Sequence, residues 1–132
     1  MRSALLAMML TIGPGALAGA QQWKDIGTTS SGNVVSVNPR SIRKHDNLTS
    51  ATVRVVFTTP VKAARGEWKS SRSTATFDCV KRYLAVKENV YYSDAKSTKV
   101  VERSVNKLPG FGPGLGGSLG GIAVDYICGP KK

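Results

Sequence analysis

The run Ala51-Thr52-Val53-Arg54-Val55-Val56-Phe57 alternates with a period of two, placing Ala51, Val53, Val55 and Phe57 on one face and Thr52, Arg54 and Val56 on the other. That is the signature of a strand with one buried side, and Pro60 is expected to end it. The run Ser73-Thr74-Ala75-Thr76-Phe77-Asp78-Cys79 repeats the pattern, with Ala75, Phe77 and Cys79 inward and Thr74, Thr76 and Asp78 outward. Beyond it the parity changes. Leu84, Val86 and Val90 occupy even positions, which predicts a bulge or tight turn across residues 80–82 and a shared face for these three. Shorter candidate strands lie at 23–26, 34–37, 90–93 and 100–105, separated by clusters such as Ser31-Gly32-Asn33 and Ser93-Asp94. Close spacing and short turns favour antiparallel pairing.

Residues 21–107 therefore read as one antiparallel sheet of about six strands, and from Leu108 the composition turns glycine-rich. Residues 108–117 are expected to be a loose connector. They contain GxGxxG at Gly112, Gly114 and Gly117, but a dinucleotide fingerprint needs a preceding strand, a following helix, a second strand and an acidic partner, and too little chain remains. In residues 118–132, Leu119, Ile122, Ala123, Tyr126 and Ile127 recur at i, i+3, i+4, i+7 and i+8, one apolar helix face. Ser118 is a cap for its start and Gly129-Pro130 a stop. Gly120 and Gly121 cost such a helix roughly 1 kcal/mol each, so packing must hold it. The fold class is α+β: one antiparallel sheet with a C-terminal helix laid on its apolar face.

At the other end, Arg2, an apolar run over residues 4–12, Gly13-Pro14-Gly15 and Ala18-Gly19-Ala20 read as a secretory signal peptide, residues 1–20. Removing it from the 132-residue chain takes away one basic residue and leaves 18 Lys+Arg against 8 Asp+Glu, a mature charge of +10. No stretch approaches the roughly 18 apolar residues that a membrane helix needs. The expected location is exported: periplasm, cell surface or medium. There the two cysteines, Cys79 and Cys128, are expected to form one disulfide that tethers the helix to its strand. A metal or redox role would need a neighbouring thiol or His at ligand spacing, and there is no CxxC; the one His is His45.

Trp23, the 34–37 strand followed by Pro39-Arg40-Ser41-Ile42, Phe77-Asp78-Cys79, Tyr91-Tyr92-Ser93 and the final Cys128 together resemble the bacterial surface-adhesin protein E family. The likeness runs from about Trp23 to Cys128. It implies a six-stranded antiparallel sheet, a helix tethered by a disulfide, and binding of host matrix proteins from the outer membrane. This chain lacks the lipid-bearing Cys after the leader, since Gln21 follows Ala20. No local motif places the family's adhesive residues, so none is transferred.

The chemistry suggested by the residues themselves is anion binding. Arg43, Lys44, Lys62, Arg65, Lys69, Arg72, Lys81 and Arg82 are concentrated in three segments, with Trp68 and Tyr83 among them as candidate stacking rings. Bases interleaved with aromatics suit phosphate or sulfate polymers. An acidic glycan, lipopolysaccharide or a host matrix protein fits an exported chain; nucleic acid does not. The alternative is an envelope component that docks a bacterial protein. No cofactor and no enzymatic activity are expected, because His45 lies in a turn between Lys44 and Asp46 and no GxSxG elbow exposes a nucleophile.

Overall fold

The protein is described here by a computed structural model covering residues 22–131. The expected signal peptide lies outside the described residues. The chain forms strands β1 (Lys24–Thr28), β2 (Val34–Val37), β3 (Arg43–His45), β4 (Leu48–Ala63), β5 (Gly66–Asp78), β6 (Tyr83–Tyr92), β7 (Val100–Val105) and β8 (Gly112–Pro113), then helix α1 (Leu119–Cys128). All pairings are antiparallel. The sheet path is β1-β2-β4-β5-β6-β7, with β3 extending the β2 side of β4 and β8 pairing β6. The expectation of about six strands holds for this path, to which two short strands are added.

One face is the core. Val35, Val37, Ala51, Val53, Val55, Ala75 and Phe77 are buried against Ala123 and Val124 of α1, so the period-two reading of β4 and β5 is realised residue by residue. Cys79 and Cys128 are joined, with their Cα atoms 5.2 Å apart. Between β2 and β3 a short 3-10 turn, Pro39–Ser41, stands in for a strand. The Ser41 hydroxyl accepts from Thr52 N–H at 2.8 Å, and Asn38 N–H donates to the Thr52 carbonyl at 3.1 Å. The backbone of β4 is thereby satisfied where no neighbour pairs with it.

Four expectations need correction. Pro60 does not end β4, which continues to Ala63. The ladder is interrupted between Val56 and Val61, and a proline costs no ladder hydrogen bond there. Next, Leu84, Val86 and Val90 do not share a face. Leu84 pairs Phe77 and Val86 pairs Ala75 on the core side, but Lys87 is extra in the register between Thr74 and Ala75. That bulge turns Val90 to the other face, opposite Arg72. The expected tight turn at 80–82 is present, organised by Asp78, whose carboxylate accepts from Val80 N–H at 3.1 Å and Lys81 N–H at 3.3 Å.

The connector is not loose. Gly114 N–H donates to the Arg82 carbonyl at 3.3 Å, and the Gly117 carbonyl accepts from Ser30 N–H and hydroxyl at 2.9 and 3.0 Å. From its pairing with the start of β6 it passes against Gly121 and Val124 of α1, which explains the last difference: Val124, off the expected apolar face, is 1% exposed, whereas Tyr126 is 37% exposed. Ser118 does cap the helix, accepting from Gly121 N–H at 3.1 Å. The glycines serve close approach. A Cβ on Gly114 would sit 2.8 Å from Val124, and one on Gly121 would sit 1.9 Å from the Leu115 carbonyl oxygen.

Candidate functional site

The register sorts the eight candidate bases into separate places. Arg43 and Lys44 on β3 pair the start of β4, whose Leu48 faces Asp78 at the end of β5. They therefore share one end of the sheet with Lys81 and Arg82 in the β5–β6 turn. Lys62 pairs Glu67 near the β4–β5 turn, so Lys62, Arg65 and Lys69 belong to the opposite end. The length of β5 separates the two groups by roughly 40 Å at about 3.3 Å per residue. Several screening lengths of about 8 Å lie between them, so they act as independent fields. Arg72 sits mid-strand.

Arg82 is a fastener for the helix. Its guanidinium pairs Asp125 and donates to the Gly129 carbonyl at 2.9 Å, satisfying a helix-end acceptor. With Lys81, Tyr83 and Lys131 it lines a groove of about 490 Å³. At the other end, Trp68 stacks on Tyr91, ring centroids 3.8 Å apart and planes 15° apart. The ladder is interrupted near this end, and Gly66 at the β4–β5 turn comes close to Val101 on β7. Burial, and Glu102 nearby, push the Tyr91 hydroxyl above its ordinary pKa.

The opposite, helix-free face sets the candidate Arg72 beside residues that the sequence did not single out as a site. Reading across the pairings gives one row, Ser36, Arg54, Arg72, Val90 and Arg103, from β2 to β7. Arg54 lies under the Trp23 ring, 4.9 Å from its centroid. Burial lowers the Arg54 pKa and Asp25 opposes that shift, while Asp25 itself accepts from the Ser36 hydroxyl at 2.7 Å. Arg103 faces Glu88 at 3.8 Å. Alternation alone puts Arg54 and Arg72 on outward faces; that they stand directly opposite one another depends on hairpin register, which the sequence does not display.

On the core side, a cleft runs beside α1. Its apolar part, about 400 Å³, is floored by Val53, Ala75, Phe77, Leu84 and Val86 and bordered by Leu119 and Ala123. A more polar part of about 330 Å³ includes Ser71, Asn33 and Tyr91. Ser73, Asn89 and Leu119 line both parts, and the Ser73 hydroxyl donates to Asn89. Tyr91 is the one titratable side chain on these walls, so the cleft offers shape and neutral hydrogen bonds instead of a proton-transfer pair.

With this architecture in view, comparison with known proteins is decisive at the family level. The family model for surface-adhesin protein E matches residues 23–129, which takes in every strand and the helix. The chain belongs to the surface-adhesin protein E family. Among solved structures it resembles those of Haemophilus influenzae protein E. One gives a TM-score of 0.56 at 12% identity over 80% of this chain and 84% of that one. Another gives 0.56 at 11% over 80% and 83%, and crystal form II gives 0.53 at 14% over 71% and 79%. Identity this low supports a shared fold and leaves binding residues untransferred. No curated protein matches the sequence. In this surface-adhesin protein E domain the register separates the bases by strand and by end of the sheet. No helix among the described residues is long and apolar enough to cross a membrane.

Proposed function

We propose that this surface-adhesin protein E domain is an exported, non-enzymatic binding module whose ligands are acidic macromolecules: a sulfated or phosphorylated glycan, lipopolysaccharide, or an acidic segment of a host matrix protein. One observation carries the reading. Among the described residues, ion pairs engage only His45, Arg82 and Arg103, so Arg43, Lys44, Lys62, Arg65, Lys69, Arg72 and Lys81 have no acidic partner within 4.0 Å. Several acids, meanwhile, are spent internally: Asp25 on Ser36, Asp78 on its turn, Asp94 on Thr98 and Asp125 on Arg82. The positive charge is left facing outward, where it attracts anions over a screening length and releases counterions on contact.

The test is a titration of the mature protein against heparin from about 50 to 200 mM salt, where each neutralised anionic group adds somewhat under one to the slope of log affinity against log salt. Lys62→Glu/Arg65→Glu/Lys69→Glu is expected to flatten that slope. Affinity unchanged by salt and by the substitutions would remove the proposal.

A second reading, an envelope component docking a bacterial protein, is favoured by one feature. β7 ends the sheet path, and at its end Val105 and Leu108 are 61% and 90% exposed. An unpaired strand edge next to apolar side chains suits strand addition by a protein partner. A stoichiometric partner recovered from envelope extracts, resistant to salt, would favour it.

A further inference from the structure

We propose that Arg54 and Arg72 form a clamp for a single tetrahedral oxyanion, a sulfate ester or a phosphate monoester, on the helix-free face of the sheet. The inference rests on the acidic-ligand reading above and narrows it to one site and one chemical group.

The two arginines are directly opposed in the β4–β5 ladder. Opposed positions bring Cβ atoms to about 5 Å, and like charges there are destabilising. No acid lies within 4.0 Å of either guanidinium among the described residues, where the ion pairs are His45–Asp46, Arg82–Asp125 and Arg103–Glu88. Asp25 is a countercharge acting on Arg54, and its carboxylate is already held by Ser36. Glu88, opposite Thr74 on the same face, is engaged by Arg103. The pair is therefore a local concentration of positive charge that the protein does not neutralise itself.

Arg54 is also fixed in place. The Trp23 ring lies over it at 4.9 Å, and its Nε is buried with no hydrogen-bond acceptor. A buried donor without an acceptor costs about 1 to 3 kcal/mol, so the fold holds this side chain in place against an unmet hydrogen bond. Next along both strands, Thr52 and Thr74 are opposed to one another, adding two hydroxyl donors on the same face. A guanidinium presents a flat fork of donors. One carboxylate satisfies a single fork with its two oxygens, whereas a sulfate or phosphate has oxygens enough for both forks and a threonine. The donor set thus selects the tetrahedral group.

The experiment is a titration of the purified mature protein with sodium sulfate at constant ionic strength in chloride, following the arginine Nε–Hε resonances by NMR. One saturable transition is expected, largest at Arg54 and Arg72, and still present in Lys62→Glu/Arg65→Glu/Lys69→Glu. Arg72→Lys keeps the charge but loses the fork, and should weaken sulfate by about tenfold; Arg54→Lys should do likewise, so the result does not depend on one variant folding. A sulfated disaccharide and glucose-1-phosphate, run as separate arms, distinguish the two sources of the group. Linear, non-saturating shifts, or wild-type affinity in both lysine variants, would overturn the clamp. Heparin binding that stays salt-dependent in that event would leave the broader proposal standing, and its loss would remove both.

Discussion

Removing the Cys79–Cys128 bridge is the perturbation whose size follows most directly from the fold. The two residues are 49 positions apart. Closing a loop of that length lowers the unfolded chain's entropy by an amount worth about 4 kcal/mol at room temperature. Domains of this size have about 5 to 15 kcal/mol in total, so the reduced protein should be marginal. Loss of the bridge also frees a helix containing two glycines that is held mainly by Ala123, Val124 and their partly buried neighbours. The double variant Cys79→Ala/Cys128→Ala should therefore unfold at much lower guanidinium than wild type, followed by circular dichroism and by Trp23 and Trp68 fluorescence. Its m-value should be equal or slightly larger, because the unfolded chain is no longer cross-linked. Wild type under reducing conditions should behave like the variant. A loss below about 1 kcal/mol would mean that the helix is held by packing alone, and would refute the entropic argument.

Gly121→Ala should destabilise by roughly 2 kcal/mol despite better helix propensity, because its Cβ would overlap the Leu115 carbonyl oxygen at 1.9 Å; a raised melting temperature would show that the connector yields freely. Arg82→Ala should cost about 1 to 3 kcal/mol by leaving Asp125 and the Gly129 carbonyl unpaired. Because Arg82 sits at φ 58°, Arg82→Gly should cost less, relieving backbone strain while losing the same contacts; equal losses in the two variants would contradict this. The Asp94 carboxyl is held at a pKa of about 2 by the Thr98 hydroxyl and by backbone N–H groups of Lys99 and Thr98. Its folded value is below its unfolded one, so its contribution is present above pH 4 and lost as pH falls through about 2. Amide exchange in residues 93–99 should accelerate over that window, and Asp94→Ala should abolish the dependence.

Much of the fold is legible from local pattern. Alternation at 51–57 and 73–79 gives the two central strands and their inward faces, and Ser118 and Gly129 bound the helix. What fails is local in another sense. Pro60 reads as a terminator because a proline interrupts a ladder, but the ladder is already broken there. Val90 reads as sharing a face with Leu84 and Val86 because nothing in the sequence marks Lys87 as the extra residue of a bulge; it is buried, but on the other face. Val124 looks solvent-facing until the connector is laid across it. The site was less accessible still. Proximity along the chain groups Lys62 with Arg72, whereas the decisive neighbour of Arg72 is Arg54, brought there by register.

The helix follows every strand in the chain, yet it provides the cover for the face on which those strands bury Val35, Val37, Val53, Val55 and Phe77. Strands β4 to β7 are successive neighbours, so in an exported chain they can pair as hairpins while the remainder of the polypeptide is still crossing the membrane. During that interval the half-finished molecule presents a bare greasy sheet together with a solitary thiol at Cys79, a combination that chaperones, oxidoreductases and proteases all recognise. Arrival of the segment through Cys128 in the oxidising compartment removes both signals, hiding the sheet and consuming the thiol. The bridge is thus a marker of completion, and a copy that stops short keeps both hallmarks of damage.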